Sequence, residues 1–159
     1  EAVSIAAAYA SQSDRGESDL SYDADYKFIE LGTKIKAVSL KLGYEALGAE
    51  DGVGFKTPLA TLHKFQGWAD KFLVTPGDGV EDTYLTAAGA WNKVKLAATY
   101  HQFEAEDSGD DFGTEWNIVA TVPLHKMLTL QAKYASFESD NDARFSDTDK
   151  LWLTLQLKL

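Results

Sequence analysis

Apolar and polar residues alternate with a period of two over one segment of this chain after another. That is the spacing of β-strands whose two faces meet different surroundings. Residues 150–159 show it most cleanly. Leu151, Leu153, Leu155, Leu157 and Leu159 fall on one face; Lys150, Thr154, Gln156 and Lys158, with Trp152 among them, fall on the other. Val38, Leu40, Leu42 and Tyr44 alternate with Ser39, Lys41, Gly43 and Glu45. Val94, Leu96, Ala98 and Tyr100 alternate with Lys93, Lys95, Thr99 and His101. Trp116, Ile118, Ala120 and Val122 alternate with Glu115, Asn117 and Thr121, and Leu128, Leu130, Ala132 and Tyr134 with Thr129, Gln131 and Lys133. Weaker alternation marks 2–12, 22–35 and 80–92. The pattern predicts about eight strands of roughly 10 to 14 residues. Ordinary strands average about 5–6 residues, whereas a tilted strand crossing a bilayer needs about 9–11.

The connections alternate in length: long at 11–21, short at 35–36, very long after residue 47, short at 92–93, long at 104–113, short at 123–126 and long at 136–147. One plain end and one decorated end is the signature of an up-and-down antiparallel barrel. Outer-membrane barrels keep short turns on the periplasmic side and long loops outside. The acids gather in the long loops and the strand ends that feed them. Lys34, Lys36, Lys93, Lys95 and Lys126 gather at the short turns.

Residues 48–79 break the strand period. Thr57-Pro58 reads as a helix start, with Thr as N-cap and Pro at the first helical position. Leu59, Leu62, Phe65, Ala69, Phe72 and Leu73 then recur at spacings of three and four, and Thr75-Pro76-Gly77 stops the run. The spacing predicts one short amphipathic helix in a long loop. Leu62, Phe65, Trp68 and Phe72 are its candidate contact residues. It is either a plug folded into the barrel mouth or a cap packed over the rim.

Composition narrows the function. The chain has 159 residues, a net charge of -10 and no cysteine. That acidity argues against a nucleic-acid partner, and the missing thiol removes disulfides, thiolate catalysis and cysteine-bound zinc. The longest uncharged stretch, Ala2 to Ser13, is too short for a spanning helix of about 20 residues. The opening on Glu1, with no basic and apolar leader, predicts a mature form or a fragment. His63, His101 and His125 have no metal-ligand spacing. There is no Gly-x-Ser-x-Gly elbow and no glycine-rich phosphate loop, so no enzyme activity and no cofactor is expected. Glu104, Glu106 and Asp107, and separately Asp140 and Asp142, offer oxygen ligands for a weakly held divalent cation.

Alternation alone leaves open which face points inward. In a water-soluble eight-stranded barrel, Leu40, Leu42, Leu96, Ile118, Leu130 and Leu153 would line a lumen for a small apolar ligand. In an outer-membrane barrel the same residues face lipid. The polar faces carry few charges and many Thr, Gln, Asn and Ser residues, unlike most water-facing sheets. Tyr9, Tyr44, Tyr100 and Tyr134 sit near the long-loop ends of the apolar faces, as in an interfacial aromatic girdle. Both points favour the membrane. The lumen would then be lined by Lys41, Glu45, Lys95, His101, Glu115, Lys133, Lys150 and Lys158, and the excess of lysine favours an anion.

The segment TPLATLHKFQGWADKFL at 57–73, the acidic loop 104–113 and TDKLWLTLQLKL at 148–159 resemble the C-terminal part of alginate-export or porin-like outer-membrane barrels of Gram-negative bacteria. The likeness is strongest over 37–92 and 145–159. It implies a bacterial outer-membrane protein in contact with lipid, passing or exporting an anionic solute or polysaccharide without bond chemistry. Members of that family have roughly twice as many strands. The expected fold is therefore an all-β, antiparallel up-and-down barrel, a single domain over 1–159, standing alone or forming the C-terminal portion of a larger barrel.

Overall fold

A computed structural model of the chain describes residues 3–15, 21–58 and 65–158. Ten strands follow one another: β1 Val3–Ser13, β2 Asp23–Ile35, β3 Val38–Leu47, β4 Ala49–Glu50, β5 Val53–Gly54, β6 Val80–Trp91, β7 Val94–Glu104, β8 Asp111–His125, β9 Leu128–Ser139 and β10 Thr148–Leu157. The eight long ones form a single antiparallel meander in the order β1-β2-β3-β6-β7-β8-β9-β10. The all-β, up-and-down architecture expected from the alternation is therefore present. β4 and β5 form a separate small ribbon. Its turn residues, Asp51 and Gly52, both take positive φ (50° and 78°), the backbone for which an Asp-Gly pair is suited.

Closure differs from expectation. Among the described residues β1 pairs only with β2 and β10 only with β9, so the sheet is open and is not a barrel. The interior of an eight-stranded barrel is only just wide enough for side chains. Here a stretch of main chain from the long insertion lies against the inner face. Over residues 66–70 it reaches Glu45 on β3, Glu115 on β8 and Lys150 on β10. In a flat sheet β3 and β10 would stand about 24 Å apart. Bonds from one short segment to strands that far apart require the sheet to curl around it.

The helix expected over 57–73 is also absent where the chain is described. Residues 65–73 run through turns and bends, and 59–64 lie outside the described residues, Leu62 and His63 with them. Gln66, Gly67 and Asp70 have φ of 50°, 76° and 60°, left-handed values that an α-helix cannot contain. Of the apolar residues that set the spacing, Ala69 and Phe72 are buried, whereas Phe65 and Leu73 are exposed. Phe72 stacks into a knot of rings, 4.7 Å from Phe103, 5.7 Å from Phe112 and 5.2 Å from Phe145. Phe103, Phe112 and Phe137 are at most 1% exposed. This core fills only the long-loop end of the inner face.

The opposite face is apolar and uncovered. Ile5, Leu42, Leu85, Leu151, Leu153, Leu155 and Leu157 are all more than half exposed. From Trp116 to Leu124 on β8, or Leu151 to Leu157 on β10, this belt runs roughly 20–27 Å along the strands.

Phe103→Ala should lower unfolding stability by about 3–5 kcal/mol, because a fully buried ring packed against Phe72, His101 and Phe137 leaves a cavity. Urea unfolding of the refolded protein measures it. A loss under 1 kcal/mol would mean that the ring knot is not the core.

Candidate functional site in the concave face

Polar side chains dominate the inner face, and the strand register decides which of them meet. Gly43, Tyr84, His101 and Glu115 lie side by side across β3, β6, β7 and β8. One step toward the long loops, Glu45 faces Asp82 and Asp82 faces Phe103. One step toward the short turns come Lys41, Thr86, Thr99 and Asn117. Each row pairs diagonally with the next. Lys41 Nζ lies 2.8 Å from Glu30, and the Tyr84 hydroxyl donates to the same carboxylate at 2.9 Å. The Tyr26 hydroxyl donates to Glu45 at 2.6 Å. His101 Nδ1 sits 2.9 and 3.0 Å from the two oxygens of Asp82, so Nδ1 carries the proton and donates. Asp82 is 1% exposed and Glu115 is fully buried. Buried carboxyls persist only where donors satisfy them.

Gly43 is the local requirement for this lattice. A Cβ there would collide with the Tyr84 ring, which lies across the bare backbone on its way to Glu30. The long insertion adds the second requirement. Glu115 accepts the N–H of Trp68 at 2.5 Å and of Ala69 at 2.8 Å through one oxygen. Gly67, in the left-handed region, brings that backbone close; any Cβ at 67 would strike the carboxylate. Gln66 donates to Glu45 at 2.5 Å, and Lys150 bonds Asp70 at 2.8 Å. A turn of main chain is thus pinned to three strands by carboxylates and a lysine.

A cavity of about 480 Å³ remains beside the pinned turn, walled by Glu30, Lys41, Glu45, Asp82 and His101, with Trp68 and Phe65 on the insertion side. It can hold a small polar molecule between charged wall and rings. Among the described residues no group of three or more His, Asp or Glu is placed to hold a metal ion.

The structure sorts the residues predicted to line a lumen. Lys41, Glu45, His101 and Glu115 come together at the cavity or directly behind it. Lys133 lies 4.0 Å over the Trp68 ring and 5.5 Å from that of Trp152, and Lys150 holds Asp70, so both brace the insertion. Lys95 and Lys158 stand exposed near the short turns, away from the cavity. Of the insertion residues, Phe65 lines the cavity, Trp68 lies between it and β9, and Phe72 belongs to the core. Leu40, Leu42, Leu96, Ile118, Leu130 and Leu153 all lie on the outer face, opposite this site. Glu30, Asp82 and Tyr84 were missed. Their strands alternate weakly, although Asp82, Tyr84 and Thr86 do share one face of 80–92.

The tyrosines of the outer face form an ordered set. Tyr9, Tyr44 and Tyr134 donate to Asp25, Glu81 and Asp149 at 2.9, 2.6 and 2.7 Å. Each hydroxyl is tied to an acid near the long-loop end of the outer face. Beyond them, Arg144 grips Asp78 with two nitrogens, at 2.5 and 2.8 Å, joining the last long loop to the end of the insertion. That grip holds the Asp78 carboxyl below its ordinary value of 3.8.

No protein-family model matches the chain, and neither a curated protein nor a solved structure matches it.

Glu115→Ala should free the pinned turn. The Trp68 and Ala69 amides should then exchange about thirtyfold faster, as expected for losing a charged acceptor worth about 2 kcal/mol. Glu115→Gln, which keeps an acceptor oxygen, should lie between the two. Unchanged exchange in Glu115→Ala would contradict the anchoring role. The loop clamp has its own pH signature. A carboxyl depressed on folding stabilises the folded state fully above 3.8 and less as pH falls through its folded value. Exchange of the 140–147 loop should therefore rise below pH 3.8, and Asp78→Asn should show the faster rate at neutral pH.

Proposed function

We propose that this chain forms part of the wall of a bacterial outer-membrane β-barrel, and that small polar solutes pass along its concave face. The observation that carries the reading is the uncovered apolar belt on the outer face, with Leu153 71% and Leu155 64% exposed. Monomeric soluble proteins rarely leave a contiguous apolar patch larger than a few hundred Å² in water. A hydrocarbon layer accounts for it, as on the outward-facing apolar band of such barrels. The tyrosine–acid pairs at one rim and exposed Trp91 at the other fit aromatic girdles at two interfaces. The polar concave face, with a chain segment narrowing it, fits a solute path.

The charge of the path departs from the lysine count. Lys41 and Lys150, expected to recruit an anion, are already matched by Glu30 and Asp70. Glu45 and Asp82 face the cavity as well, with Glu115 behind His101. This balance supports a neutral or cationic polar solute over an anionic polysaccharide.

Two measurements test the proposal. The refolded chain should float with lipid vesicles, and Leu155→Lys should reduce that binding by about 2–4 kcal/mol, the cost of a cation near the bilayer midplane. A monodisperse folded protein in plain buffer, indifferent to lipid, would contradict the membrane reading. In planar bilayers under a salt gradient, the reversal potential should have the sign of cation preference. The opposite sign would restore the anionic solute.

A further inference from the structure

The charges on the wall of the concave cavity do not balance. Its ionisable residues, tyrosine aside, are Glu30, Lys41, Glu45, Asp82 and His101. Lys41 is paired with Glu30 at 2.8 Å. Among the described residues Glu45 accepts only from neutral donors, the Tyr26 hydroxyl at 2.6 Å and the Gln66 amide at 2.5 Å. Asp82 is held by the imidazole of His101, at 2.9 and 3.0 Å. With the carboxyls ionised, the wall carries two surplus negative charges when that ring is neutral and one when it is protonated. Carboxylates this buried, Asp82 at 1% and Glu45 at 4% exposed, are costly without a compensating cation. His101 supplies a second, independent feature. It is 8% exposed and lines the cavity. Its Nδ1 is committed to Asp82, and its Nε2 has no hydrogen-bond partner among the described residues. The ring is fixed by Asp82 and by the Phe103 ring stacked on it at 5.5 Å, so Nε2 is a positioned and unused acceptor.

We infer that the cavity is a recognition site for a primary ammonium group. Such a group brings one positive charge and three N–H donors. The wall offers three acceptors to match: His101 Nε2, and a remaining lone pair on each of Glu45 and Asp82, which stand opposite each other on β3 and β6. Phe65 and Trp68 close the insertion side and give the carbon body of an amine an apolar surface. At about 480 Å³ the cavity admits a small amine whole. An anion would meet a wall that is already negative. A neutral alcohol would leave the surplus charge unmatched. The inference narrows the solute class given above, and it rests on the reading of the concave face as a solute path.

The probes are ethanolammonium, ethylene glycol and glycolate, small molecules that differ chiefly in charge. Their binding to the chain refolded in lipid is measured by calorimetry. Ethanolammonium should bind about tenfold more tightly than ethylene glycol, the advantage expected when a donor meets charged acceptors, and glycolate should bind more weakly than either. Glu45→Gln removes one charge at nearly constant shape and should weaken ethanolammonium about tenfold. Lys41→Gln acts in the opposite direction. It releases Glu30 and should tighten ethanolammonium about threefold, a gain that a folding defect does not produce. Equal binding of ethanolammonium and ethylene glycol overturns the site, and so does a Glu45→Gln chain that binds ethanolammonium as well as the parent. Cation preference in planar bilayers without any preference for ethanolammonium would keep the solute path and overturn the ammonium site. Ethanolammonium binding by a chain without cation preference would support the site and remove the path.

Discussion

Everything in this structure follows from one constraint: a strand presents alternate side chains to opposite faces, and here both faces are committed. On the outer face the commitment is to aliphatic residues at odd positions 3–7 of β1, 29–31 of β2 and 151–157 of β10, and at even positions 38–42 of β3, 118–124 of β8 and 128–132 of β9. The inner face must then carry the chain's polar and ionisable groups, and burying them is costly unless each finds a partner. The lattice of Glu30, Lys41, Tyr84, Asp82 and His101 is the answer that register allows. Slipping any strand by one residue would send carboxyls outward and leucines inward across the whole sheet.

The insertion takes its place for the same reason. Glu115 lies in the middle of β8, opposite His101, and main-chain amides at 68 and 69 supply its donors. Ring packing around Phe72 holds the far side of the same segment. Polar pinning and apolar packing therefore position one stretch of chain from two directions. Its position bounds the cavity and braces Lys133 and Lys150.

Much of this was legible in the amino-acid order. Period-two alternation located the eight long strands, and loop lengths fixed the meander and its two unlike ends. Lys41, Glu45, His101 and Glu115 were correctly placed on the polar faces. Two things were not legible, for physical reasons. The apolar spacing of Phe65, Ala69, Phe72 and Leu73 fits a helix as well as an irregular chain that buries only Ala69 and Phe72, because burial rewards the contact and not the backbone that delivers it. Left-handed residues such as Gln66 and Asp70 carry no strong sequence signal. Closure was likewise undetermined, since alternation says nothing of what fills the concave side. Partners hide for the same reason: Lys150 and Asp70 stand 80 residues apart and meet only once the chain is folded.

The central claim is that the aliphatic face touches hydrocarbon and the polar face touches water. Single nitroxide labels placed at successive positions 150–157, in protein refolded into lipid, test it most directly. The account predicts a period-two profile, with the apolar relaxant oxygen collecting at 151, 153, 155 and 157 and a water-soluble nickel chelate at 154 and 156. A flat profile, or one with the two relaxants exchanged, would contradict it.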